Sequence, residues 1–308
     1  MKSYITIDGG TTNTRVSLVT DGNVIQTIKI SAGARSGIDD KTHLEKEIKA
    51  AVDTLTQNND RIEKIIASGM ITSEFGLYNL PHIHAPAGIS ELHTGMYETV
   101  LPQISEIPFV FIPGVKTGGT DLEQTDMMRG EETELIGMAE HLLSECMYVL
   151  PGSHSKLIKT DKQGRIAEFA TALTGEMIFA LSQGTILKSA VELSQTEIDD
   201  EYLISGYKYC DRNGINEALF KTRILKNSFH CTPSEAYSFF MGTVLQAEIK
   251  EIIKAKENTV IIGGKEIIKK AMIKLLHTLC KKEITGISAE TVDFAPAIGA
   301  IKIYEYSE

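Results

Sequence analysis

Asp8-Gly9-Gly10-Thr11-Thr12-Asn13-Thr14-Arg15 is the stretch on which the fold turns. The run before it, Tyr4-Ile5-Thr6-Ile7, reads as a strand, so Asp8 falls at a strand end and Gly9-Gly10 forces a tight turn. Glycines let backbone N–H groups approach phosphate oxygens, and a carboxylate at that place organises a hydrated Mg²⁺. The residues from Arg15 to Val19 continue as a second strand, Asp21-Gly22 closes a hairpin, and Val24 to Ile30 make a third strand. The stretch is not a P-loop, because GxxxxGK[ST] occurs nowhere in the chain.

The same order returns in the second half. Met147 to Leu150 reads as a strand, and Pro151-Gly152-Ser153-His154-Ser155-Lys156 supplies a glycine turn. Lys156 to Lys159 and Ile166 to Thr171 are the next strands, joined by a hairpin at Asp161 to Gly164. Two copies of strand, glycine turn, strand, hairpin, strand imply an α/β protein with two lobes of related topology. The expected division is 1–133 for the lobe with the first turn and 134–308 for the lobe with the second. Apolar periodicity predicts helices over 44–55, 131–143, 179–191, 197–207, 233–256 and 266–280, with a final helix starting near Pro296. Residues 69–113 read as a long, irregular loop system.

Candidate site residues sit at the turns. Val260-Ile261-Ile262-Gly263-Gly264 is a strand running into a glycine turn before a helix, where a flat ring can slide against backbone, or where the glycines simply make a tight strand-to-helix connection. Arg129-Gly130-Glu131-Glu132-Thr133 opens a helix, so Glu131 or Glu132 can accept a proton from a substrate hydroxyl, or either can serve as an acidic cap. Glu134 reads as part of the same cap. Arg129 has the planar fork that pairs with carboxylates. Glu176, in Thr174-Gly175-Glu176, either faces substrate or caps its own helix. His82 and His84 stand in a loop without a thiolate or acidic partner, which disfavours a metal centre.

Composition narrows the field. The chain has 308 residues and a formal charge of -10, against the basic footprint of a nucleic-acid binder. Four widely spaced cysteines make no CxxC pair, and no apolar run is long enough for a bilayer, so a cytoplasmic protein with reduced thiols is expected.

Taken together, the motifs resemble the sugar kinase, Hsp70 and actin superfamily. Within it, GMITSEFG (69–76), MRGEET (128–133), PGSHSK (151–156) and LTGE (173–176) look like the 2-dehydro-3-deoxygalactonokinase family. The resemblance implies two lobes of ribonuclease H-like, actin/hexokinase-type topology with an interdomain nucleotide cleft. It implies ATP and Mg²⁺, and phosphoryl transfer to the 6-hydroxyl of 2-dehydro-3-deoxy-D-galactonate. By position, Asp8 would organise the metal, and Gly9, Gly10, Thr11, Thr12, Arg15, Gly152 and Ser153 would face phosphates. Gly263 and Gly264 would flank adenosine, with Glu131 as base and Glu132 in reserve. Ser73, Arg129, His154, Lys156 and Glu176 would hold the acid sugar. Kinases of other sugar acids or hexoses, and a nucleotide sensor of the same fold, stay open, as does a homodimer. The family usually has Trp after the first Asp; this chain has Gly9 and no Trp at all.

Overall fold

The computed structural model describes residues 2–35, 41–57, 61–139 and 142–307. The first meander comprises β1 (Ser3–Gly9), β2 (Thr14–Thr20) and β3 (Asn23–Ile30), followed by α1 (Lys41–Thr56) and β4 (Ile62–Gly69). Leu44, Ile48, Ala51, Val52 and Leu55 recur at helical spacing on α1 and are all buried. Each of the Leu, Ile and Val side chains contributes about 1.5–3 kcal/mol when fully removed from water. The chain continues through β5 (Ile83–His84), α2 (Ile89–Thr94), β6 (Tyr97–Leu101), β7 (Ser105–Phe111), β8 (Val115–Lys116), β9 (Met127–Met128) and α3 (Glu131–Met138).

The second meander is β10 (Met147–Leu150), β11 (Ser155–Thr160) and β12 (Ile166–Ala172). Then come α4 (Thr174–Gly184), α5 (Asp200–Asn213), α6 (Ile215–Ser228), α7 (Pro233–Lys254), β13 (Thr259–Ile262), α8 (Glu266–Leu279), β14 (Glu283–Gly286) and α9 (Ala289–Tyr304). A capping box starts α7, with Thr232 and Glu235 exchanging hydrogen bonds and Pro233 in the first turn.

The sheets run β3-β2-β1-β4-β7-β6 and β12-β11-β10-β13-β14, with a small third sheet β5-β8-β9. In both large sheets the first strand pairs antiparallel with the second and parallel with the strand that follows a helical crossover. With β6 set aside as an added edge strand of the first sheet, the two share the 3-2-1-4-5 order that is the ribonuclease H-like topology of actin and hexokinase.

Contacts divide the chain into Met1–Ser144, Thr160–Phe169 and Glu290–Glu308 as one unit, and Glu145–Lys159 with Ala170–Ala289 as the other. This differs from a single cut after residue 133, for identifiable reasons. The N-cap of α3 lies against the end of β4: a methyl on Gly130 would be 3.0 Å from Gly69 Cα. Ile166 exchanges backbone hydrogen bonds of 2.8 and 2.9 Å with Ala87. Finally, α9 crosses α3 by main chain on main chain, with methyls on Gly137 and Gly299 falling 1.8 Å from Ala295 O and 1.9 Å from Thr133 O. A second reciprocal pair joins α5 to α7, where Gly206 faces Phe239 O and Gly242 faces Leu203 O, each at 2.0 Å from the added methyl.

Several elements depart from expectation. The presumed loop over 69–113 contains β6 and β7, both in the main sheet. Helix α3 ends at Met138, where Lys302 Nζ donates to Ala139 O at 2.6 Å; residues 140–141 of the expected extension lie outside the described residues. The expected helix over 179–191 begins earlier, at Thr174, and breaks at Thr185, whose extended backbone separates α4 from a short 3-10 turn. Helix α9 starts at Ala289, with Pro296 inside it rather than at its head. No helix among the described residues is long and apolar enough to cross a membrane.

Candidate active site

Three strands of the first unit set two polar rows side by side. Asp8, Arg15 and Lys29 are direct cross-strand neighbours, and so are Thr6, Ser17 and Thr27 two residues further along. Together with Asp293, Phe294, Pro296 and Ala297 of α9 they line a cavity of about 140 Å³. Arg15 reaches Asp8 at 3.8 Å and Asp293 at 3.9 Å, which holds the guanidinium over the cavity without a tight bond. Lys29 was not among the sequence candidates; only the register of β3 brings it beside Arg15.

The turn that follows Asp8 is braced from behind. The Gly10 N–H donates to Asn13 O at 2.8 Å, while Gly10 O and Thr11 O accept from the N–H groups of Ala34 and Arg35. Thr11, Thr12 and Asn13 are left exposed. Gly9 has no room for a side chain, since a Cβ there would lie 2.8 Å from both Ile71 Cβ and Ile71 N. Gly69, at φ +76°, carries the close approach one step further: its Cβ would be 2.4 Å from Gly9 O.

That stack of glycines brings the start of α3 beside Asp8. Burial raises the pKa of Asp8, and the Glu131 charge adds to the rise while Arg15 opposes it. Burial also pushes Glu134 up to about 8, with Asp8 and then Glu131 adding to the rise. The Glu131 charge thus acts on Asp8, and the charges of Asp8 and Glu131 act on Glu134. The helix-cap reading of Glu134 misses this, because its neighbours come from a strand more than a hundred residues earlier in the chain.

Glu132 has a different job from the reserve base. It is fully buried, and both of its oxygens accept from the Gly130 N–H, at 2.8 and 2.9 Å. Burial, then the Glu131 charge, push it up to about 8 against those hydrogen bonds. A folded-state pKa above the ordinary 4.5 contributes stability that is present below that value and lost as pH rises towards 8. Urea unfolding of wild type should therefore show stability falling between about pH 5 and pH 8, and Glu132→Gln should fall less steeply. Equal slopes would refute the assignment.

Arg129 also differs from expectation. Its NH1 donates to Thr72 O at 2.7 Å and Thr72 Oγ1 at 2.5 Å, and its NH2 donates to Leu80 O at 2.9 Å and lies 3.2 Å from His82 Nδ1. With only Nε left, the fork clamps the 72–82 segment instead of offering itself to a carboxylate. Burial, together with the charges of Arg129 and Lys116, lowers His82 to about 4, so its ring is neutral beside the guanidinium. Ser73 turns its hydroxyl inward to Met70 O at 2.7 Å. Among the described residues, no three His, Cys, Asp or Glu side chains cage a metal.

The second unit assembles its own turn from three segments. Gly175 N and Glu176 N, at the start of α4, donate to Ser153 O at 3.1 and 3.2 Å. The Lys265 N–H donates to Pro151 O at 2.6 Å, and Gly263 N–H to Val149 O at 2.9 Å. Gly175 and Gly264 are required by close approach, their added methyls falling 2.3 Å from Gly152 O and 2.4 Å from Pro151 O. Gly152, Ser153, Gly263 and Gly264 are therefore brought together as the motifs suggest. His154 Nε2 lies 3.1 Å from Glu176 Oε1, so these two hold each other at the rim. Lys156 is buried, with Nζ donating to Thr171 Oγ1 at 2.8 Å.

Two such sheets, each with a glycine turn at the end of its first strand, define the actin/hexokinase fold class. The model of the family described as 2-keto-3-deoxy-galactonokinase matches residues 8–292, and this chain belongs to that family. The chain is 25% identical over 298 residues to the 2-dehydro-3-deoxygalactonokinase of Escherichia coli K12, covering 96% of this chain and 90% of that one. A Rhizobium meliloti relative carrying that name provisionally is 32% identical over 133 residues, 43% of this chain and 42% of its own. A Sinorhizobium meliloti crystal structure, given the same name as an unproven assignment, superposes with a TM-score of 0.79 at 21% identity. That superposition covers 98% of this chain and all of the other.

Proposed function

We propose that this chain transfers the γ-phosphate of ATP to the 6-hydroxyl of 2-dehydro-3-deoxy-D-galactonate, giving 2-dehydro-3-deoxy-6-phospho-D-galactonate. The family match that starts at Asp8 and runs through both glycine turns is the observation that carries this reading. Phosphoryl transfer asks for little covalent chemistry from a protein; it asks for alignment of the hydroxyl and neutralisation of charge on the transferred group.

In this reading, Glu131 takes the proton of the attacking hydroxyl. It is half-buried at the start of α3, and one of its oxygens accepts from the Arg129 N–H at 3.0 Å, which fixes the carboxylate. Arg15 faces the transferred phosphoryl group, and the exposed Thr11 and Thr12 offer donors beside it. The second turn contributes Gly152 and Ser153 to phosphate and Gly263-Gly264 to adenosine. With the Arg129 fork already engaged, Lys29 is the better placed cation to read an anionic group in the first unit.

The carboxylates of Asp8, Glu131 and Glu134 fit Mg²⁺ in their donor chemistry: hard oxygens whose charge a divalent cation offsets. When bound, the ion neutralises charge developing between the β- and γ-phosphoryl oxygens.

A coupled ADP-release assay against a panel of sugar acids and hexoses tests the proposal. ATP consumption that requires 2-dehydro-3-deoxy-D-galactonate is expected. Turnover with another acceptor alone would move the substrate, and ATP binding without any acceptor dependence would make the chain a sensor.

A further inference from the structure

Helix α7 is buried along most of its length by apolar residues, yet it carries a carboxylate inside. Glu248 is 7% exposed. Its Oε1 accepts a hydrogen bond from the hydroxyl of Thr174, the first residue of α4. Its Oε2 has no hydrogen-bond partner, and neither does the fully buried Ser155 hydroxyl. Ser155 nevertheless faces the carboxyl closely enough to act with Thr174 against the upward push that burial gives its pKa. An apolar side chain would fill this space at less cost, since a buried polar group with an unsatisfied atom is unfavourable.

The two residues that Glu248 addresses are not arbitrary. Ser155 leaves the Pro151–His154 turn as the first residue of β11, and Thr174 opens the helix whose next two N–H groups hold Ser153 O. We infer that Glu248 is a positioning residue for the second phosphate turn: its carboxyl group ties the start of α4, whose N–H groups hold Ser153 O, to α7 and so fixes one side of that turn. The inference rests on the kinase reading for its consequence in turnover, but the tie itself is a property of the second unit.

The experiment compares full-length wild type with Glu248→Gln, Glu248→Leu and Thr174→Val. Two readouts are taken: steady-state kinetics with ATP and 2-dehydro-3-deoxy-D-galactonate, and amide hydrogen exchange of the unliganded protein. Glu248→Leu matches the apolar surroundings but cannot accept from Thr174. It is expected to raise KM for ATP about tenfold, the size of one lost charge-assisted hydrogen bond, with a smaller effect on KM for the sugar acid. Exchange should quicken in 151–156 and 173–177 and stay unchanged in the remaining helices of that unit. Thr174→Val should reproduce the effect, and Glu248→Gln, which still accepts from Thr174, should restore both readouts.

Unchanged kinetics and exchange in Glu248→Leu would overturn the inference. So would faster exchange spread over the whole unit, because that marks a residue needed only for packing. Glu248→Gln as impaired as Glu248→Leu would also overturn it. Absence of phosphorylation in wild type would refute the proposed function alone, since the exchange pattern reports on the tie independently.

Discussion

Glu131→Gln should lower kcat by on the order of 10²-fold or more while leaving the fold and the KM for ATP nearly unchanged. The amide keeps the size and the contact with the Arg129 N–H but cannot take a proton from the substrate hydroxyl. Neighbouring carboxylates make the test selective. Glu132→Gln should leave turnover within a few-fold of wild type, because its oxygens are occupied by the Gly130 N–H inside the protein. Glu134→Gln, which removes a carboxylate that feels the Asp8 charge, should raise the Mg²⁺ concentration needed for half-maximal rate by roughly 10–100-fold. A Glu131→Gln enzyme with near-normal rate, beside a crippled Glu134→Gln, would transfer the base to the other residue.

The second large effect concerns stability. Gly299→Ala puts a methyl 1.9 Å from a backbone oxygen of α3, and that obstacle cannot rotate out of the way as a side chain could. The helices must separate, at a cost of about 3 kcal/mol or more. For a unit of this size that lowers Tm by roughly 6–12 °C. Gly184→Ala is the matched control: nothing lies within 4 Å of its added methyl, so a change within about 0.5 kcal/mol is expected. A Gly299→Ala protein melting with wild type would mean that the crossing of α3 and α9 is looser than it is drawn.

How much of this was legible in the sequence depended on whether the signal was local. The glycine turns were readable because turn chemistry needs only adjacent residues, and α1 was readable because its buried positions repeat at helical spacing. Strand β7 was hidden by Pro108, which ordinarily argues against a central strand. The structure accommodates it where the β6–β7 register shifts between Thr99 and Leu101 and before β4 pairing begins at Phe109. Helix α6 was hidden for the opposite reason: it buries only Ala218 and Thr222 while exposing Phe220, so it shows no apolar stripe. The motifs single out Asp8 and Glu131 as candidates. They do not single out Lys29, Glu134 or Glu248, because each acquires its neighbours only when strands and helices distant in the chain meet. The partners of the Arg129 fork were not legible either, since they lie in a segment with no periodic signal.

The absence of Cβ space at residue 9 reaches beyond the first turn. Both atoms in the way, the Cβ and the amide nitrogen of Ile71, persist in alanine, so trimming Ile71 would not admit a larger residue. A side chain at position 9 of this chain would therefore force the 70–72 turn along another path, and with it the Thr72 acceptors that Arg129 grips.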